Sequence, residues 1–202
     1  MRTRESMIAH MIGVRATILC LCALSLFGLS GCRFWHAGQH VAFLGDSITE
    51  AWYYPTVNFG VHGNTTTEML DRFDRLIPGH GYNTVVILGG TNDILLSIDP
   101  RTTIQNLEKL AERTIQQHAE PILCEVPPIF HCCNYGATKN YDPQVLDLNR
   151  RIVQLAAIHH WRVVDYYTPL ASHPSYSSDG VHMKRLGYLV MEKTLLHQLP
   201  AY

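Results

Sequence analysis

Short apolar runs and longer amphipathic stretches alternate along the chain. VAFLG (residues 41–45) and TVVILGG (84–90) are continuous apolar runs, the second rich in β-branched residues and stopped by glycines, and both predict buried strands. PILCEV (121–126), ended by Pro127 and Pro128, predicts another, WRVVDYY (161–167) a further one, and a short segment around Val57–Phe59 carries the weakest strand signal. Between the strands, apolar positions recur at helical spacing. In IDPRTTIQNLEKLAERTIQQHAE, Asp99 stands where a helix cap is needed and Pro100 at the first helical position, with Ile104, Leu107, Leu110 or Ala111, and Ile115 on one face. YDPQVLDLNRRIVQLAAIHH repeats the Asp-Pro device, and Val145, Leu148, Ile152, Leu155 and Ala156 form its stripe. MKRLGYLVMEKTLLHQL predicts a closing helix.

Strands alternating with helices of this length predict an α/β domain whose parallel sheet is covered on both faces. In such sheets ligands bind beyond the carboxyl ends of the strands. Ser47, Asn92 and the segment after Val126 all fall at such ends.

The first 32 residues differ in kind. Arg2, Arg4 and Arg15 precede ATILCLCALSLFGLS, an apolar run of signal-peptide length and short for a spanning helix. The run ends in Leu29-Ser30-Gly31-Cys32, which resembles a bacterial lipobox; a plain secretory signal or an uncleaved anchor is the alternative. The resemblance implies a signal peptide over residues 1–31, a lipidated Cys32 with a short tether over 32–40, and a domain over 41–202, held to a bacterial membrane and facing the periplasm or exterior. Eight residues separate Cys32 from Val41, so the tether reaches about 27–30 Å at most.

Composition narrows the classes further. The chain has 202 residues, 47% of them apolar, enough to bury a core without disulfides or metal. Loss of residues 1–31 removes three Arg and one Glu and takes the formal charge from −1 to −3, so no basic footprint invites nucleic acid. Twelve histidines make no recognisable ligand pair, and neither C-x-x-C nor H-E-x-x-H occurs, so no metal or other cofactor is expected. Cys124, Cys132 and Cys133 remain after processing; a disulfide from Cys124 to one of the adjacent pair and free thiols are both open.

AFLGDSITEA (42–51) places Ser47 at a strand end, where it could cap a helix, contact phosphate or act as a nucleophile. A serine hydroxyl is a poor nucleophile unless a base takes its proton and donors receive the developing charge. SSDGVHMKRLGY supplies a candidate base: Asp179 precedes His182 by three residues with Gly180 between, so the carboxylate can fold back onto Nδ1–H and leave Nε2 for a hydroxyl. Gly63 in NFGVHGNTT could offer an unhindered backbone N–H, and Asn92 in GGTND a side-chain amide. Each also has a purely structural role open to it: Asp179 as a cap, Gly63 as a turn residue, Asn92 in an Asx-turn.

Together GDSIT, GVHGNTT, GGTND and DGVH resemble, in order, the four blocks of the SGNH (GDSL-type) hydrolase superfamily, across residues 45–182. The resemblance implies Ser47 as nucleophile, His182 as general base and later acid, and Asp179 orienting it. The N–H groups of Ser47 and Gly63 and the side chain of Asn92 would form the oxyanion hole. It also implies a three-layer α/β/α sandwich of flavodoxin-like type with about five parallel strands, no cofactor, and a small acyl ester as substrate. FLGDSITEAW and GNTTTEML are similar to small single-domain lysophospholipase- or thioesterase-like members; Met183 departs from the proline many relatives carry after the histidine. No G-x-S-x-G is present, so the α/β-hydrolase elbow does not place this serine.

Trp52, Tyr53, Tyr54 and the long connection PPIFHCCNYGATKNY are candidates to line the cleft, with core packing an alternative for Trp52 and plain solvation for His62. Short-chain esters, acylated glycans and lysophospholipids all suit a tethered esterase. Two rival classes stand beside it: an envelope lipoprotein binding acylated sugars without hydrolysis, and a phosphate or nucleotide binder. The second lacks both G-x-x-x-x-G-K-[ST] and G-x-G-x-x-G, and leaves Asp179 and His182 idle.

Overall fold

The computed structural model of the chain describes residues 40–53, 57–131 and 139–199. The leader, Cys32, Tyr54, Cys132 and Cys133 lie outside the described residues. Five strands, β1 (Val41–Gly45), β2 (Val57–Gly60), β3 (Thr84–Leu88), β4 (Glu120–Cys124) and β5 (Arg162–Val164), form one parallel sheet in the order β2-β1-β3-β4-β5. Leu44 pairs with Phe59 on one side and Ile87 on the other, Ile87 with Leu123, and Leu123 with Val163. Every residue of β1 and β3 is buried, as expected of central parallel strands covered on both faces. The chain steps outward from β1 to β2 and then returns to the far side of β1, so the crevice between the carboxyl ends of β1 and β3 is the topological switch point.

The flanking helices are α1 (Ser47–Glu50), α2 (Thr66–Leu76), α3 (Thr91–Leu95), α4 (Pro100–Gln116), α5 (Asp142–His159) and α6 (Arg185–Leu196). The Asp99 cap forms as read, its carboxylate accepting the Arg101 N–H at 2.9 Å, whereas the cap position of α5 is Tyr141 and Asp142 is its first residue. Apolar periodicity left α2 unmarked. Its start is written instead as a capping box, the Glu68 carboxylate accepting the Thr65 N–H at 2.7 Å while Thr65 accepts from Glu68 N–H.

Two strands are shorter than their apolar runs, each for a local reason. Beyond β4, both backbone groups of Val126 are taken by the Asn149 side chain, at 2.7 and 2.9 Å, which replaces further strand pairing. Beyond β5, the Asp165 carboxylate accepts the Thr168 N–H at 2.8 Å and turns the chain. Trp52 is a core residue, packed against Phe43, Tyr166 and Tyr188, so it does not line a cleft. Tyr53 is exposed and donates to the Arg185 carbonyl. Cys124 is a free, buried thiol, and burial pushes its pKa up; its candidate partners Cys132 and Cys133 lie outside the described residues.

Candidate active site

Ser47 is not the cap of the helix that follows β1. Asp46 is: its Oδ1 accepts the Ile48 N–H at 2.9 Å, which leaves Ser47 as the first residue of α1. A residue in that place has no intrahelical partner for its N–H, so the Ser47 amide joins its hydroxyl at the mouth of the crevice. Gly45 and Gly60 make room for this turn. A Cβ on Gly45 would stand 2.0 Å from the Thr49 hydroxyl, and one on Gly60 2.0 Å from the Glu50 backbone nitrogen.

The structure brings the serine and the Asp-His pair together across 135 positions of sequence. His182 Nε2 lies 2.8 Å from Ser47 Oγ, and His182 Nδ1 lies 2.7 Å from Asp179 Oδ2. With Nδ1–H donated to the carboxylate, Nε2 is the acceptor for the serine hydroxyl. The other carboxylate oxygen accepts the N–H groups of His182 and Val181 at 2.8 and 3.0 Å. Burial pushes Asp179 up, but the hydrogen bonds from the His182 ring and from these two amides outweigh it and hold the carboxyl below its ordinary range. The loop itself is pinned: Ser177 Oγ and Ser178 N–H donate to the His182 carbonyl, and the Phe130 N–H donates to that of Gly180 at 2.8 Å. Thus residue 130, just after the Pro127-Pro128 strand end, helps fix the histidine loop; residues 132–138 of that connection lie outside the described residues.

The two remaining predicted residues meet through Asn64. Gly63 has a φ of +76°, a conformation that favours glycine, in the loop after β2. Asn92, on α3, donates one amide hydrogen to the Asn64 carbonyl at 2.9 Å, and its second amide hydrogen remains for a ligand. Sequence reasoning missed the support for this contact. Arg72 on α2 donates to the Asn64 side chain and to the Gly45 carbonyl, both at 2.7 Å, tying the loop to the end of β1. Asp93, buried beside Asn92, accepts from the Thr66 amide and hydroxyl and from the Thr103 hydroxyl, which fixes α3 against α2 and α4. His62 is exposed, as read, and its ring lies nearly parallel to that of His182 at a centroid distance of 6.0 Å and 16°.

A cavity of about 400 Å³ opens elsewhere, bounded by Ile94, Ser97, Thr103, Lys139, Pro143 and Leu148 among others, and includes none of the five residues above. Among the described residues no group of three or more His, Cys, Asp or Glu side chains could hold a metal ion.

The sequence profile of the GDSL-like lipase/acylhydrolase family matches residues 31–190. Among solved structures, the chain is similar to a candidate acylhydrolase from Bacteroides fragilis, 28% identical, with 78% of this chain and 85% of that one covered and a TM-score of 0.72. It is also similar to a GDSL-like lipase from Bacteroides thetaiotaomicron, 26% identical, with 81% and 88% covered and a TM-score of 0.72. The acetyl xylan esterase AlAXEase shares the fold at 17% identity, with 79% and 99% covered and a TM-score of 0.69. No curated protein matches the chain.

Proposed function

The chain belongs to the GDSL-like lipase/acylhydrolase family, and we propose that it is a serine esterase working through an acyl-enzyme. The observation that carries this reading is the unbroken relay of 2.8 and 2.7 Å from Ser47 Oγ through the His182 ring to Asp179. His182 Nε2 takes the hydroxyl proton as Ser47 Oγ attacks the ester carbonyl. The oxyanion that forms faces the N–H groups of Ser47 and Gly63 and the amide of Asn92. Collapse expels the alcohol, protonated by His182, and leaves the acyl group on Ser47. Water, deprotonated by the same imidazole, then attacks the acyl carbonyl, and the acid departs as His182 returns that proton to Ser47 Oγ. Throughout, Asp179 holds the ring in the tautomer that keeps Nε2 toward the serine.

The substrate class is an acyl ester of the short-chain, acetylated-glycan or lysophospholipid type. Support for the acetylated glycan comes from fold relatives named as an acetyl xylan esterase and an acetyl-xylooligosaccharide esterase. We further propose that residues 1–31 are a lipoprotein signal, that Cys32 is acylated after their removal, and that the esterase domain of residues 41–202 works within reach of a bacterial membrane. Cys32→Ser should abolish incorporation of labelled palmitate and release the protein from the membrane fraction; unchanged labelling would defeat the anchor. For the activity, rates across p-nitrophenyl acetate, butyrate, octanoate and palmitate, beside an acetylated sugar and a lysophospholipid, identify the acyl group. Absence of turnover on all of them would favour a binding lipoprotein.

A further inference from the structure

The turn that carries Gly63 also carries an aromatic ring toward His182. Val61 through Asn64 form a β-turn, with the Asn64 N–H donating to the Val61 carbonyl at 3.2 Å. Gly63, with its φ of +76°, takes the third place, which in a type II turn requires positive φ, so His62 stands at the outer corner before it. Both ends of the turn are tied down. The Val61 N–H donates to the Gly45 carbonyl at 3.1 Å, and Asn64 receives Asn92 on its carbonyl and Arg72 on its side chain. His62 is thus an exposed residue on an anchored backbone, and its ring nitrogens hydrogen-bond to no described residue. Polar side chains held in that way, exposed on a fixed scaffold, are where ligand contacts concentrate.

The chemistry of an ester says what that ring would meet. Around the carbon that Ser47 Oγ attacks stand the carbonyl oxygen, the acyl chain and the oxygen of the alcohol. The carbonyl oxygen belongs to the oxyanion donors, Gly63 among them. The alcohol oxygen must come within about 3 Å of His182 Nε2 to receive its proton, so the alcohol begins beside the His182 ring and the acyl chain points elsewhere. The His62 ring lies 6.0 Å from that of His182, centroid to centroid and 16° from parallel, and the peptide that follows His62 carries the Gly63 N–H. His62 therefore stands between the place of the oxyanion and that of the leaving alcohol. Resting on the serine-esterase reading, we propose that His62 is a specificity residue that hydrogen-bonds a hydroxyl on the carbon next to the ester oxygen, as an O-acylated sugar or a glycerol ester supplies. An imidazole offers at least one N–H donor in either protonation state. An alkyl alcohol placed against it would displace water from that donor and return no hydrogen bond. The substrate hydroxyl keeps its proton throughout: His62 holds the alcohol, and His182 alone moves the proton of the reaction.

2-Hydroxyethyl acetate and propyl acetate carry the same acyl group on alcohols of nearly equal size, and only the first has the hydroxyl. In the full chain, kcat/KM is measured on both for wild type, His62→Ala and His62→Gln, beside the rate of fluorophosphonate labelling, which expels fluoride and no alcohol. Intrinsic reactivity cancels when the preference for one ester over the other is compared between proteins. That preference for the hydroxyethyl ester should fall about three- to tenfold in His62→Ala, the worth of one hydrogen bond, and recover in part in His62→Gln, which restores an N–H donor. An unchanged preference would overturn the proposal. So would equal losses on both esters and in labelling, because His62 would then act through His182 and not on the alcohol. Glycerol monoacetate and a monoacetylated methyl xyloside, run on the same proteins, separate the two sources of the hydroxyl: a loss on either supports the proposal and its size tells which alcohol the cleft prefers, and a loss on neither overturns it. His62 is exposed at a turn corner, so both substitutions leave the packing of the domain untouched. A wild-type chain that neither labels nor turns over any of these esters would instead defeat the esterase reading itself.

Discussion

Asp46→Asn should make the protein more stable at neutral pH, and by an amount that depends on pH in a defined way. Burial, set partly against the hydrogen bond from the Ile48 amide, raises the Asp46 pKa from 3.8 to about 6. A group whose folded pKa is raised binds its proton in the native state while the unfolded chain has already lost it, so stability falls as pH rises between the two values. At about 1.4 kcal/mol per pH unit, that window costs the wild type roughly 3 kcal/mol, fully present above pH 6 and absent below the unfolded value. Asparagine has no such penalty and keeps the cap. The stability difference between variant and wild type should therefore grow by roughly 3 kcal/mol from pH 3.5 to pH 7.5, equivalent to about 6–12 °C in Tm for a domain of this size. Other groups, including Glu125, which burial and Asp165 raise to about 7, are present in both proteins and cancel from the difference. Urea unfolding of both proteins at several pH values measures it. A difference that stays constant across the range would refute the assignment of a buried, charged carboxylate at this position.

Other substitutions test separate parts of the site. Asn92→Ala removes the proposed side-chain donor of the oxyanion hole and should lower kcat by roughly 10²–10³; wild-type turnover would remove Asn92 from that role. Asp179→Asn keeps the shape of the loop but offers the ring a poorer acceptor, and should lower kcat by about 10⁴ with little change in KM, as the loss of the tautomer-fixing carboxylate dictates. Gly60→Ala drives a Cβ to 2.0 Å from the Glu50 backbone nitrogen. Backbone cannot swing aside as a side chain does, so the variant should lose about 3 kcal/mol or more and displace α1; urea midpoints matching the wild type would show that α1 yields freely.

The sheet and much of the site were legible from the chain, for physical reasons that differ by element. β1 and β3 are buried on both faces, so VAFLG and TVVIL had to be continuous apolar runs, and their type and place followed. α4 and α5 both begin at Asp-Pro; α5 buries its apolar stripe, whereas α4 buries Leu107, Leu110 and Ala111 of the stripe beside Thr103, Asn106 and Thr114 and leaves Ile115 exposed. α2 does not: it buries Thr66, Met69 and Phe73 between charged positions, so only its Thr65–Glu68 capping box marks it. Ser47, Gly63, Asn92, Asp179 and His182 could be named because the four blocks GDSIT, GVHGNTT, GGTND and DGVH resemble those of the family in order; the structure brings Ser47, His182 and Asp179 within hydrogen-bond reach. Asn64 and Arg72 could not, since the loop contact that receives the Asn92 amide is a backbone carbonyl, which has no signature in sequence. Asp46 was hidden for another reason. A cap residue and a buried charge look alike as letters, and only the enclosure of its second oxygen separates them.

The most direct test is to treat the enzyme with a fluorophosphonate and map the modified peptide by mass spectrometry. The account predicts a single adduct on Ser47, lost together with esterase activity in both Ser47→Ala and His182→Ala. An adduct on any other residue, or ester turnover that persists in Ser47→Ala, would contradict it.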